Sequence, residues 1–154
     1  MKRVLTILTT LLLSLSLVAC SSSDEPKAQD KNFVKDVGKS FDAMAKYIND
    51  VESGKITLNE KEYLKKAILK EKNILEKYKD ADFDNPDLAK LAVDYLNALN
   101  KQEDPLKCYV NDWTEGYNEI ITILTTLVEK FGVKIDEKSF AELKQNAQVV
   151  KENK

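Results

Sequence analysis

Histidine is absent from the 154-residue chain. That absence excludes Ser-His-Asp triads, imidazole general bases, and zinc or di-iron sites with His ligands. Arginine is reduced to Arg3, and every other cation is lysine. Bidentate recognition of bases and phosphates leans on the guanidinium fork, so no nucleic acid is expected as a partner. Four glycines and three prolines are too few for the frequent turns of a β-sandwich or barrel. The chain also lacks a glycine-rich phosphate loop, a G-x-S-x-G motif and a paired-cysteine metal motif, so no cofactor is expected and no metal site of those kinds. What remains is 43% hydrophobic and 32% charged, with 24 basic against 26 acidic side chains, which describes one ordinary foldable domain.

Lys2 and Arg3 precede an apolar run from Val4 to Leu17. At 14 residues, broken by Thr6, Thr9, Thr10, Ser14 and Ser16, the run is shorter than the roughly 20 residues a spanning helix needs. A basic start, a short apolar stretch and a small residue before a cut read as a secretory signal. The segment Leu17-Val18-Ala19-Cys20 resembles the lipobox of bacterial lipoproteins. The resemblance implies that residues 1–19 are a signal peptide, that Cys20 carries a diacylglycerol and palmitate, and that Cys20 becomes the first residue. It places the mature chain on the extracytoplasmic face of the cell membrane. Ser21 follows the cysteine, where an aspartate would resemble the inner-membrane retention signal of Gram-negative bacteria. Cleavage would leave 135 residues with 22 basic and 26 acidic side chains, without a polybasic patch to press the chain onto anionic lipid. The lipid on Cys20 alone would hold it to the membrane, and Cys108, the second cysteine, would have no intramolecular partner.

Residues 20–30, small and polar around Pro26, read as a flexible tether, and 31–154 as a single domain. Val34, Val37, Phe41, Met44, Ile48 and Val51 step by 3, 4, 3, 4 and 3, one face of a helix, with Asp30 as its cap and Gly54 as its stop. Thr57 and Glu60 have the form of a capping box before a second helix carrying Leu64, Ala67, Ile68, Ile74, Leu75 and Tyr78. Pro86 opens a third, with Leu88, Leu91, Ala92, Tyr95, Leu96 and Leu99 inward. Asp104-Pro105 repeats that start for a fourth, whose face runs from Leu106 through Val110, Trp113, Tyr117, Ile120, Leu124 and Leu127 to Phe131, closed by Gly132. Asp136 caps a last segment with Phe140, Leu143, Ala147 and Val150. Period-2 alternation is nowhere sustained. The expectation is an all-α, antiparallel bundle of about five helices.

Three constellations merit weighing. Asp80, Asp82 and Asp84 stand at positions 1, 3 and 5 of an EF-hand-like loop, yet position 6 is Asn85 instead of Gly and position 12 is Leu91 instead of Glu. A solvated turn that caps the third helix competes with a cation site there. Asp112, Glu115 and Glu119 fall at i, i+3 and i+7, either as paired carboxylates for a metal or proton transfer, or as the solvated flank of an amphipathic helix near lysines. Tyr109, Trp113 and Tyr117, with Tyr95 on the third helix, are either core or the lining of a groove for a sugar, peptide or lipid. Gly116 beside them is either a point of close approach for a helix or ligand, or a tolerated weak point.

The stretch Asn111 to Asn118, followed by Phe131-Gly132-Val133, resembles parts of small surface lipoproteins of Gram-positive bacteria, and the likeness implies a location without an activity. The functional expectation is a non-enzymatic helical module that binds an envelope protein or component. The alternative is a small-ligand-binding lipoprotein that uses Tyr109, Trp113 and Tyr117. An enzyme would have to work with carboxylates, Tyr, Lys or Cys108 alone.

Overall fold

The computed structural model describes residues 28–57, 60–103 and 110–152, and all their regular structure is helical. The elements are α1 (Ala28–Glu52), α2 (Glu60–Leu75) extended by a 3-10 turn (Glu76–Tyr78), α3 (Pro86–Gln102), α4 (Val110–Phe131) and α5 (Glu137–Glu152). The all-α bundle of five helices is thus what the apolar periodicity predicts. α1 packs on α2 and α3 on α4, with α2–α3 and α4–α5 contacts joining the hairpins.

Side-chain contacts give the directions. Tyr47 near the end of α1 stacks on Tyr63 near the start of α2, and Asp36 near the start of α1 accepts from the Tyr78 hydroxyl at 2.8 Å. α1 and α2 are therefore antiparallel. In the second hairpin, Lys101 at the end of α3 reaches Glu115 and Glu119 at the start of α4.

The core is built largely from the expected positions, except that Phe33 and not Val34 opens the buried face of α1, where Val34, Ile48 and Val51 are only partly buried. Phe33, Val37, Phe41, Leu75, Tyr78, Tyr95, Leu99, Leu124 and Leu127 are each almost wholly buried. Burying such a side chain contributes about 1.5–3 kcal/mol, so these nine hold the helices together far more than any surface ion pair. Phe33 meets Tyr78 and Phe83 edge-on at 5.2 and 5.3 Å, and Phe41 meets Phe140 at 5.9 Å, the arrangement that aromatic quadrupoles favour.

The helix ends follow the sequence in most places. Asn85 caps α3, its side-chain oxygen accepting from the N–H groups of Asp87 at 2.9 Å and Leu88 at 3.3 Å, with Pro86 at the first turn. Asp136 accepts from Ser139 N–H at 2.8 Å. Gly54 and Gly132 both take positive φ, and after each the chain turns back with an N–H donated six residues upstream: Ile56 to the Asp50 carbonyl, Val133 to that of Leu127. The two connections share this grammar with a one-residue offset, while the helices around them differ in length.

Asp30 departs from its expected role. α1 is already helical at Ala28, inside the segment read as tether, so Asp30 lies within the first turn. Its carboxylate, buried in the fold, accepts instead from the N–H groups of Asp84 and Asn85, both at 3.1 Å. The Thr57–Glu60 capping box and the Asp104-Pro105 start include residues outside those described, as do Leu106 and the side chains of Ala147 and Val150.

Candidate functional site

The lipobox with Cys20, and also Cys108 and Tyr109, lie outside the described residues, as does the side chain of Asp112. Among the described residues no helix is long and apolar enough to cross a membrane.

A surface depression of about 860 Å³ runs between α3 and α4 and is lined by Asp94, Asn97, Lys101, Glu115, Glu119 and Thr122 among others. Gly116 explains why two helices can approach at its end. A Cβ on it would stand 2.8 Å from the Ala98 carbonyl oxygen and 3.0 Å from Lys101 Cβ, so the close approach is of a helix. The Lys101 ammonium grips Glu115 at 2.8 Å and Glu119 at 2.8 and 2.9 Å. These hydrogen bonds raise the Lys101 pKa and lower that of Glu115. An amine nucleophile needs the opposite shift, so Lys101 stays an ammonium that ties two turns of α4 to α3. Glu115 and Glu119 are brought together, as the lysine-bound flank of an amphipathic helix.

Trp113 and Tyr117 stack with ring centroids 5.3 Å apart and planes within 12°. The Tyr117 hydroxyl donates to the Leu143 carbonyl of α5 at 3.0 Å, and burial pushes its pKa up to about 12. Gln102 donates its side-chain N–H to the Trp113 carbonyl at 3.2 Å. The Trp113 indole N–H is buried and, among the described residues, has no hydrogen-bond acceptor. Tyr95 belongs elsewhere: it is wholly buried and faces α2.

There it meets a residue that the apolar pattern of α2 passed over. Glu71 is 2% exposed, and the Tyr95 hydroxyl donates to its carboxylate. Burial pushes the Glu71 pKa up to about 7, and the hydrogen bond from Tyr95 offsets only part of that. Spacing was the available signal, since Glu71 falls between Ile68 and Leu75 on the inward face.

A second carboxylate behaves in the opposite way. Burial would raise Asp36, but hydrogen bonds from Lys77, Tyr78 and Lys39 outweigh it and hold the pKa at about 2. The contacts are 2.6 Å to Lys77, 2.8 Å to Tyr78 and 3.1 Å to Lys39. Two buried carboxylates therefore differ by the presence of lysine neighbours, and both pairings tie helices together.

The acidic loop keeps Asp80, Asp82 and Asp84 exposed, and among the described residues no three acidic or cysteine side chains converge as a metal site would require. No family model matches the chain, and neither does any curated protein or solved structure. The described residues form a five-helix bundle whose polar clusters fasten helix to helix.

Proposed function

We propose that this chain is a lipid-anchored extracytoplasmic helical module with a non-enzymatic binding role at the cell envelope. One observation carries the reading: Leu17-Val18-Ala19-Cys20, placed after Lys2, Arg3 and a short apolar run, stands only a few polar residues ahead of the bundle. Lipid on Cys20 supplies the membrane attachment and the folded domain supplies the surface. The groove between α3 and α4 supports the binding part. It is broad, and its charged side chains are already oriented by Lys101, so that a partner meets a preset pattern.

Two experiments test the two halves. Cells expressing the full chain and fed an alkyne-bearing palmitate should label it, and Cys20→Ala should lose the label and leave the membrane fraction. An unlabelled wild type removes the anchor. Photo-cross-linkers at Asn97 and Asn118 in the anchored protein should recover one envelope partner repeatedly. Recovery of random neighbours alone counts against the module.

The indole N–H of Trp113, buried and lacking an acceptor among the described residues, favours a second reading in which a small ligand at the Tyr109–Trp113–Tyr117 stretch supplies one. Trp113 is the only tryptophan, so its emission reports directly. Emission indifferent to sugars, lipids and peptides would sink this reading.

A further inference from the structure

A buried carboxylate sits where the two hairpins meet. α1 packs broadly on α2, and α3 on α4, whereas α2 meets α3 along a narrower seam. Glu71 of α2 and Tyr95 of α3 are both almost wholly buried in that seam, and the Tyr95 hydroxyl donates to the carboxylate. One turn from Glu71 stand Ala67, Ile68 and Leu75, and one turn from Tyr95 stand Ala92 and Leu99, all buried. The surroundings of the carboxylate are therefore apolar apart from one phenol.

The charged and titratable groups of the neighbouring elements are engaged elsewhere. Lys72, next to Glu71 on α2, is turned to Glu103 at the end of α3. On α1, Asp36 is held by Lys39, Lys77 and Tyr78, while Tyr47 stacks on Tyr63 beneath the Lys70 ammonium. Burial and the Tyr95 hydroxyl are what act on Glu71. A separate set of contacts ties the first hairpin to the rest of the bundle. Phe41 meets Phe140 at 5.9 Å, the Asp136 N–H donates to Asp42 at 3.0 Å, and the Lys134 carbonyl lies against Gly38. These contacts, with those inside each hairpin, do not depend on the state of Glu71.

We propose that Glu71 is a proton-controlled latch on the α2–α3 seam. With its proton, the carboxyl is a neutral, hydrogen-bonded part of the seam. Without it, a charge is left in an apolar enclosure with no cation among the described residues to balance it. Parting α2 from α3 is the smallest movement that brings water to that charge, and the contacts of α1 with α5 and with the connection before it serve as the spine. Burial sets the ionisation at about 7, so the seam is closed in acid and opens more often as the medium turns neutral. The device is separate from Cys20 and from the α3–α4 groove, so its failure leaves the anchored-module reading standing.

The test uses the full chain carrying Ala67→Cys or Ala92→Cys, small buried sites on either side of the seam. Alkylation is read by peptide-resolved mass spectrometry, which separates these thiols from Cys20 and Cys108, and is corrected for thiolate content against a short peptide. The open seam releases its proton near an ordinary 4.5 and the closed one near 7, so opening should rise about tenfold from pH 6 to pH 8 and level off above. Labelling at both positions should follow that rise, and should outrun the global unfolding measured with urea on the same variant. Adding Glu71→Gln should remove the rise. In the unsubstituted chain, the ¹³C-carboxyl signal of Glu71 should titrate near 7. Four results overturn the proposal: a Glu71 midpoint at the ordinary carboxylate value, labelling that does not rise, a rise that survives Glu71→Gln, or labelling no faster than global unfolding at either pH.

Discussion

Replacing Glu71 by Gln should stabilise the protein at neutral and alkaline pH and do nothing at pH 4.5. Glu71 is fully enclosed between α2 and α3, with the Tyr95 hydroxyl as its hydrogen-bond donor and, among the described residues, no lysine in contact to offset its charge. Its pKa therefore rises from an ordinary 4.5 to about 7. Below pH 4.5 the folded and unfolded chains both hold the proton, and the group is neutral to stability. Between 4.5 and 7 the unfolded chain gives up the proton while the folded chain keeps it, so stability falls by about 1.4 kcal/mol per pH unit. Above 7 both states are ionised and the loss stays constant. Across that interval the loss amounts to about 3 kcal/mol, or about 10 °C in melting temperature for a domain of this size.

Gln reproduces the shape of the protonated acid and can still accept from Tyr95, but it does not titrate. Urea unfolding of wild type and Glu71→Gln at pH 4.5 and at pH 8, followed by far-UV circular dichroism and by Trp113 emission, reads the difference directly. The two proteins should coincide at the lower pH and separate by about 3 kcal/mol at the higher. Asp36 does not interfere: its pKa is held down at about 2, so the stability it adds is present throughout this window and is lost only as pH falls further. A stability difference that is the same at both pH values would refute the reasoning, because a constant offset is a packing effect and not a proton.

Gly38→Ala should cost about 2 kcal/mol or more, as overpacking does, because a Cβ there would stand 2.3 Å from the Lys134 carbonyl oxygen; a change within 0.5 kcal/mol in urea unfolding would show that the connection before α5 yields freely. Asn85→Ala should cost about 1 kcal/mol through loss of the α3 cap, whereas Asn85→Asp, which keeps an acceptor, should recover most of it in the same assay. Lys101→Gln should leave the urea midpoint almost unchanged despite its two carboxylate partners, and 1 M salt should erase what difference there is, since all three side chains reach solvent.

The fold was legible because its main signal is spacing. The run from Trp113 through Leu124 and Leu127 to Phe131 cannot form a half-buried strand, and Pro86 and Gly132 punctuate the chain where helices start and stop. The polar interior was not legible in the same way. Glu71, Asp30, Ser40 and Gln102 are all buried, yet a reading that sorts residues into apolar and polar assigns each of them to the surface. Glu71 could have been flagged by its register on α2. Asp30 could not, because its partners lie 54 and 55 residues further along the chain. Gly38 was equally silent: nothing in its neighbourhood announces that the chain around Lys134 will cross it.

The acidic loop shows how the same residues support two chemistries until backbone direction is known. Three aspartates at alternate positions suit a cation only if the loop also turns carbonyl oxygens and side chains toward one centre. Here the N–H groups of Asp84 and Asn85 point inward to the Asp30 carboxylate, while the side chains of Asp80, Asp82 and Asp84 remain exposed. A loop organised around an internal carboxylate presents donors to it, and its own acidic side chains lie on the outer side. The consequence reaches beyond the loop. Asp30 stands in the first turn of α1, where the chain enters the bundle, and its two hydrogen bonds fasten that entry to the α2–α3 connection. Each bond to a charged acceptor is worth about 1.5–3 kcal/mol. Strain at the start of α1 is therefore met by the α2–α3 connection as well as by the core contacts of Phe33 and Val37, so that the entry of the chain into the bundle is secured at two places.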